Sequence, residues 1–267
     1  NFAASTVGGA LSATATTGNI TQSGALAITG VTTIAADSGN NITLNNTSNN
    51  FQAAVRITSG NDVTLVDAGA IILGASTVSG ALSVTATTGN ITQSGALDIE
   101  GATTLVTAAQ GATIDLSTVT TNAFTSQLLI TTNDNEPADG TYAAHVKIDG
   151  GTTNLIIGTS TIDGDLTLLS GGTITDTDSS TVTVKGALSA TTDAGSSLIT
   201  LNDLEVDGSF TLAPNSAGAV TIVNDAGLDL AASTMGGTFS GTATTGDISD
   251  SGTLTITGAA TFITTAA

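Results

Sequence analysis

Cysteine and tryptophan are both missing from the 267 residues. No disulfide can staple this chain, so burial has to hold it together. Basic residues are nearly as scarce: Arg56, Lys147 and Lys185 face 22 acidic side chains, for a net charge of −19. That balance excludes a nucleic-acid partner, because phosphate contacts need clustered Lys and Arg. It also speaks against an anionic membrane surface. No apolar run reaches eighteen residues, so neither a membrane span nor membrane insertion is expected. Charged side chains make up only 9% of the chain and aromatic ones 3%. There is no signal peptide and no initiator Met, and Asn1 opens in mid-pattern. The chain therefore reads as a mature or excised piece of a longer one.

What is abundant is threonine, with 54 residues, alongside 32 glycines. Thr, Val and Ile favour strands, and Gly supplies the turns between them. Apolar positions in the first seventy-odd residues fall at Leu11, Ile20, Leu26, Ile34, Ile42, Val55, Val63 and Ile71, a short strand about every eight residues. Within runs such as Val63-Thr-Leu-Val-Asp67 the apolar and polar positions alternate, so one side of each strand meets a core and the other meets water.

The chain repeats itself. GALSATATTGNITQSGAL, Gly9 to Leu26, returns as GALSVTATTGNITQSGAL at Gly80 to Leu97 with one change, Ala13 to Val84. A shorter marker, Ser-Thr-x-x-Gly, starts at Ser5, Ser76, Ser160 and Ser233. It divides the chain into units 5–75, 76–159, 160–232 and a partial 233–267. All belong to a single solenoid over 1–267, with an inserted loop near 131–145. A sandwich closes after far fewer strands, and hairpins would favour two-residue Asn-Gly turns. A solenoid tolerates unequal units because each coil touches only its neighbours. The fold class expected is all-β: a right-handed parallel β-helix (β-solenoid) of about eleven to thirteen coils, with three strands per coil and coils of roughly 20–25 residues. At about 4.8 Å per coil the rod would be on the order of 55–60 Å long. The four markers should line one edge, and the six Phe should sit at coil ends or corners.

The runs LSVTATTGNITQSGALDIEGATTL, NNITLNNTSNNF and VTLVDAGAIILGASTVSG resemble the repeat region of filamentous haemagglutinin-type exoproteins, bacterial surface proteins secreted by the two-partner route. The resemblance covers essentially the whole chain. It implies a right-handed parallel β-helix at the bacterial cell surface, working as an adhesin shaft or extracellular filament. Partners would be further copies stacked end to end, or the continuing chain, and a cell-surface or matrix glycan.

Chemistry is hard to find. His145 is the only histidine, with no Cys or second His for zinc, and it reads as a surface or half-buried residue on a strand from Ala143 to Ile148. No enzyme activity is expected. The alternative is a carbohydrate-binding or carbohydrate-cleaving β-helix using some of the many Asp residues. The stretch TTNDNEPADGTYAAH, Thr131 to His145, departs most from the repeat and should protrude. Asp134, Glu136 and Asp139 there are weak Ca²⁺ candidates by oxygen chemistry, although the EF-hand order is absent. Asn135, Pro137 and Tyr142 are candidate partner contacts. No other cofactor is expected. The Asn-rich stretch Gly39 to Asn50 suggests stacked Asn ladders at a corner. Asn19, Asn41, Asn45, Asn46 and Asn90 sit in N-x-Ser/Thr patterns that a Thr-rich chain produces by chance. The Thr-x-Thr motifs at Thr14, Thr85 and Thr242 recur once per 70-odd residues, so no continuous Thr array of the kind that binds ice is expected.

Overall fold

The computed structural model describes residues 1–134 and 141–265. The chain winds into a parallel β-solenoid of about twelve turns, and no helix occurs among the described residues. Two sheets run its whole height. Face I holds twelve strands, from Leu11–Ala15 to Ile248–Asp250. Face II follows a path from Ile20–Thr21 to Ala260–Thr264, and its sheet holds fourteen strands in all. Each strand pairs in parallel with its counterpart one coil away, as in Leu11 with Thr32 and Ile20 with Ile42. Alternation does the rest. In Val63–Asp67, residues 63, 65 and 67 are buried and those between them half-buried. The inward files stack Ile, Leu, Val and Ala into one continuous core, which removes apolar surface from water at about 25 cal/mol per Å².

A third, short strand occupies one corner of most coils, and the corner changes along the rod. Ser5–Val7, Leu26–Ile28 and Asn50–Phe51 sit where the chain passes from face II to face I. Ser76–Val78, Leu97–Ile99 and Ala123–Phe124 sit at the opposite corner, between faces I and II. The expected three strands per coil are therefore two long strands plus one short one that switches sides.

The switch follows from counting. The first unit places Leu11–Ala15, Thr32–Ala36, Val55–Ser59 and Ile71–Leu73 on face I, and Ile20–Thr21, Ile42–Leu44 and Val63–Asp67 on face II. That is an odd number of half-turns, three and a half coils in all. The next unit must then begin on the other face. Leu11–Ala15 lies on face I, Leu82–Ala86 on face II, Leu166–Ser170 on face I and Phe239–Ala243 on face II. The Ser-Thr markers consequently occupy two opposite corners in alternation, not the single edge that the sequence suggested.

The aromatic residues also depart from expectation. Phe51 and Phe124 do lie on corner strands, but Phe210 and Phe239 point into the core and are fully buried. Room for Phe239 comes from Gly241 two residues on: a Cβ there would sit 2.6 Å from the Phe239 ring. In the second unit the same two places hold Leu82 and Val84. The core exchanges bulk between neighbouring positions and keeps its volume.

Glycine is required where coils touch at a corner. A Cβ on Gly208 would lie 2.4 Å from the Gly186 carbonyl oxygen, and one on Gly186 would lie 2.8 Å from the Gly164 carbonyl carbon. Backbones at these points are too close for any side chain.

Two buried hydroxyls, Thr32 Oγ1 and Thr103 Oγ1, find no hydrogen-bond partner. They are equivalent positions in units one and two, and unit four has Ala260 there. Thr103→Val keeps the shape and removes the orphaned hydroxyl. It is expected to stabilise the fold by about 1–2 kcal/mol, read as a higher urea midpoint with an unchanged m-value. A lower midpoint would contradict this account.

Candidate functional site

The insertion and the acidic corner around it carry most of the chain's unusual residues. Glu136 and Asp139 of the calcium candidates, and Asn135 and Pro137 of the contact candidates, lie outside the described residues. Asp134 is buried and pins the foot of the insertion. Its Oδ2 accepts the Ala143 N–H at 2.5 Å, while its own N–H donates to Asp163 Oδ2 at 3.0 Å. Thr132 completes the clamp: its hydroxyl donates to the Ala144 carbonyl at 3.1 Å and accepts the Asp163 N–H at 2.9 Å. Tyr142 is half-buried beside this stem. A hydrogen bond to Asp207 is the largest cause that holds the Lys185 ammonium above its ordinary range, and the charges of Asp207 and Glu205 add to it.

His145 is exposed and immediately precedes the strand Val146–Asp149. Its Nδ1 accepts the Asp165 N–H at 2.9 Å, which fixes the proton on Nε2. The 3.3 Å approach of Asp165 Oδ2 to that same nitrogen is therefore not a charged pair in this tautomer. Asp165 Oδ1 in turn accepts the Ala187 N–H of the next coil at 2.8 Å. The same device appears at the Asn-rich corner. Asn19 accepts the Asn41 N–H, Asn41 accepts from Asn61 and from the Asp62 N–H, and Asp62 accepts the Ala81 N–H. The expected Asn ladder is present and is extended by Asp62, while the His145–Asp165 rungs stand at the opposite corner, before face I strands. Each rung satisfies a backbone donor that the sheets leave open at the turn.

A cleft of about 370 Å³ opens where the long strand Ile199–Val206 bends at a corner. Asp203, Glu205 and Asp225 line it. Each is engaged with a neighbouring coil: Asp203 accepts the Ser179 N–H, Glu205 the Thr183 hydroxyl and Asp225 the Thr244 hydroxyl. Behind them the Asp176 carboxylate accepts the N–H groups of Asn202 and Asp203, both at 2.7 Å, and burial pushes its pKa up against those bonds. Among the described residues no group of three or more His, Asp and Glu side chains is arranged to hold a metal ion. No helix among them is long and apolar enough to cross a membrane.

The sequence reading missed the polar staples inside the core. Gln93 and Asn122 form a closed amide pair, with Gln93 Nε2 donating to Asn122 Oδ1 at 2.9 Å and Asn122 Nδ2 to Gln93 Oε1 at 3.1 Å. Gln22 and Asn49 repeat it at 2.8 and 2.9 Å. The available signal was the pairing of Ile-Thr-Gln with a later Asn-x-Phe or Asn-Asn-Phe in both units.

Asp67 is a further buried polar group. It accepts the N–H groups of Phe51 and Gly69, both at 2.6 Å. Burial nevertheless outweighs those bonds and lifts its pKa above the ordinary 3.8. An acid whose pKa rises on folding stabilises the fold most when protonated. That contribution is complete below pH 3.8 and is lost as pH climbs through the raised folded value. The equivalent residue in unit three is Asn224, whose Oδ1 accepts the Val206 N–H. Asp67→Asn is expected to flatten the pH–stability profile just above pH 3.8 and to gain on the wild type as pH rises toward neutrality. Urea titrations at several pH values check this, and a parallel pair of profiles would refute it.

These features define a parallel β-solenoid repeat protein whose polar groups bind coil to coil. A family model of repeats of unknown function, DUF5649, matches residues 1–58, 60–131, 143–213 and 217–267. The chain belongs to that family. No curated protein and no solved structure matches it.

Proposed function

We propose that this chain is a structural shaft of a bacterial extracellular adhesin or filament, wound right-handed as parallel crossovers almost always are. The observation that carries this reading is the uniform core. From Ile20 to Ala243 the same inward files run without a break, and each near-copy of the unit docks on the last in register. Such an array gains length from every added unit. The charge of −19 keeps a long rod soluble, and the lack of Cys frees it from any need for oxidative folding. Its likeness to filamentous haemagglutinin-type repeats supports two-partner secretion and a place at the cell surface. On this reading its partners are further copies or further repeat units, joined by pairing of strand edges.

Electron microscopy of native material tests the shaft, with unbranched rods expected and globular particles overturning it. A carbohydrate-active β-helix is the competing function, and the cleft at Asp203, Glu205 and Asp225 is where it would act. Reducing-sugar release from neutral polysaccharides that disappears in Asp203→Asn or Asp225→Asn would establish that function in place of the shaft.

A further inference from the structure

The strand register brings together threonines that are scattered in sequence. On face II, Thr21 lies beside Thr43, Thr43 beside Thr64, Thr64 beside Ser83 and Ser83 beside Thr104. The order is repeated higher up: Thr175, Thr200, Thr221, Ser240 and Thr261. Leu129 and Ile156 lie between the two runs. The sequence suggested that no continuous Thr array forms, because each Thr-x-Thr motif recurs once per long unit. The register revises this: different segments of each unit supply one hydroxyl per coil over two runs of five coils, with Leu129 and Ile156 between them.

A second file stands two residues along the same strands. It runs Val66, Thr85, Val106, Thr131, continues through Thr161, Thr183 and Glu205, and further up holds Val223, Thr242 and Ile263. Every member but Glu205 is β-branched. The two files form a grid of hydroxyls and methyls, about 4.8 Å apart between strands and about 6.6 Å along them. The first file carries no ionisable side chain, in a protein of net charge −19, and the second carries one, Glu205. The corresponding outward file on face I is interrupted by Arg56, Asp115 and Lys147.

We propose that face II binds ice. Among the described residues none of the ten hydroxyls in the first file has a hydrogen-bond partner. They stand on a parallel sheet whose backbone already spends its own donors and acceptors on neighbouring coils. A prism face of hexagonal ice is likewise an uncharged, rectangular mesh of oxygens on the scale of these spacings. The β-branched side chains are held to few rotamers, so the grid is ordered before it meets a lattice and little freedom is lost on binding. A second copy packed dry against this face is the poorer occupant, because it would strip water from hydroxyls it cannot satisfy.

The test is ice shaping and thermal hysteresis in a nanolitre osmometer. The wild-type chain is compared with Thr64→Lys and Thr221→Lys on face II and with Thr167→Lys and Ser189→Lys on face I. Circular dichroism melts accompany each variant. Faceted crystals and a hysteresis gap are expected for the wild type and both face I variants, with loss in either face II variant that retains its melt. If both face II variants fail to fold, the milder Thr200→Asn takes their place. Round, unshaped crystals with the wild type overturn the proposal, as does equal loss from both faces. Self-association in sedimentation without ice shaping also overturns it and assigns face II to a second copy.

Discussion

Asn122→Ala is expected to destabilise the solenoid by about 3–4 kcal/mol, since each orphaned buried group costs about 1–3 kcal/mol. Asn122 is buried and serves several neighbours at once. Its Oδ1 accepts the Leu97 N–H at 3.0 Å as well as Gln93 Nε2. Its Nδ2 faces the carbonyls of Leu116 at 3.2 Å, Val119 at 3.0 Å and Asp149 at 2.8 Å. One side chain thus ties together backbone from successive coils. Truncating it strands the Leu97 donor, several carbonyls and the Gln93 amide. Gln93→Ala made on top of Asn122→Ala should cost less than Gln93→Ala in the wild type, because its partner has already gone. Urea unfolding of the four proteins closes the cycle, and simple additivity would show that the amide pair is not a unit.

Gly241→Val is expected to be the most damaging small-to-large change in the core, lowering stability by about 1–3 kcal/mol or more through overpacking. The new Cβ would meet the Phe239 ring at 2.6 Å and Leu228 Cδ2 at 2.9 Å. Neither neighbour has free space to move into, since both are fully buried. Adding Phe239→Leu recreates the Leu-x-Val combination of Leu82 and Val84, which the second unit already accommodates. The double variant should therefore recover most of the loss, whereas Phe239→Leu alone leaves a cavity. Thermal melts of the two single variants and the double decide it. A double variant no better than Gly241→Val alone would mean that the two sites are not exchanging volume.

Much of this architecture could be read from the chain, and the reasons are physical. Alternation in stretches such as Val63-Thr-Leu-Val-Asp67 fixes which side chains face inward. Variable unit length excluded closed sheets, and Gly39 to Asn50 announced a corner ladder that Asn19, Asn41 and Asp62 do form. What could not be read depends on coil length. The unit of 71 residues between Ser5 and Ser76 says how often the text recurs, but not how many turns it fills. Sequence spacing therefore points the markers to one edge although they alternate, and it does not show Thr21, Thr43 and Thr64 to be neighbours. Phe239 was put at a corner because its compensating Gly241 is visible only once their side of the strand is known. At the candidate site, the buried clamp made by Asp134 depends on its contact with Asp163, twenty-nine residues away, and no local pattern marks that pairing.

The half-integer turn count gives this solenoid a rule of parity. Gain or loss of one unit leaves every sheet junction intact yet rotates all downstream surface through half a revolution, so a feature on one side of the rod would move to the opposite side. Two units change the reach and keep the bearing. Lineages that depend on what the distal end faces should vary their copy number in pairs.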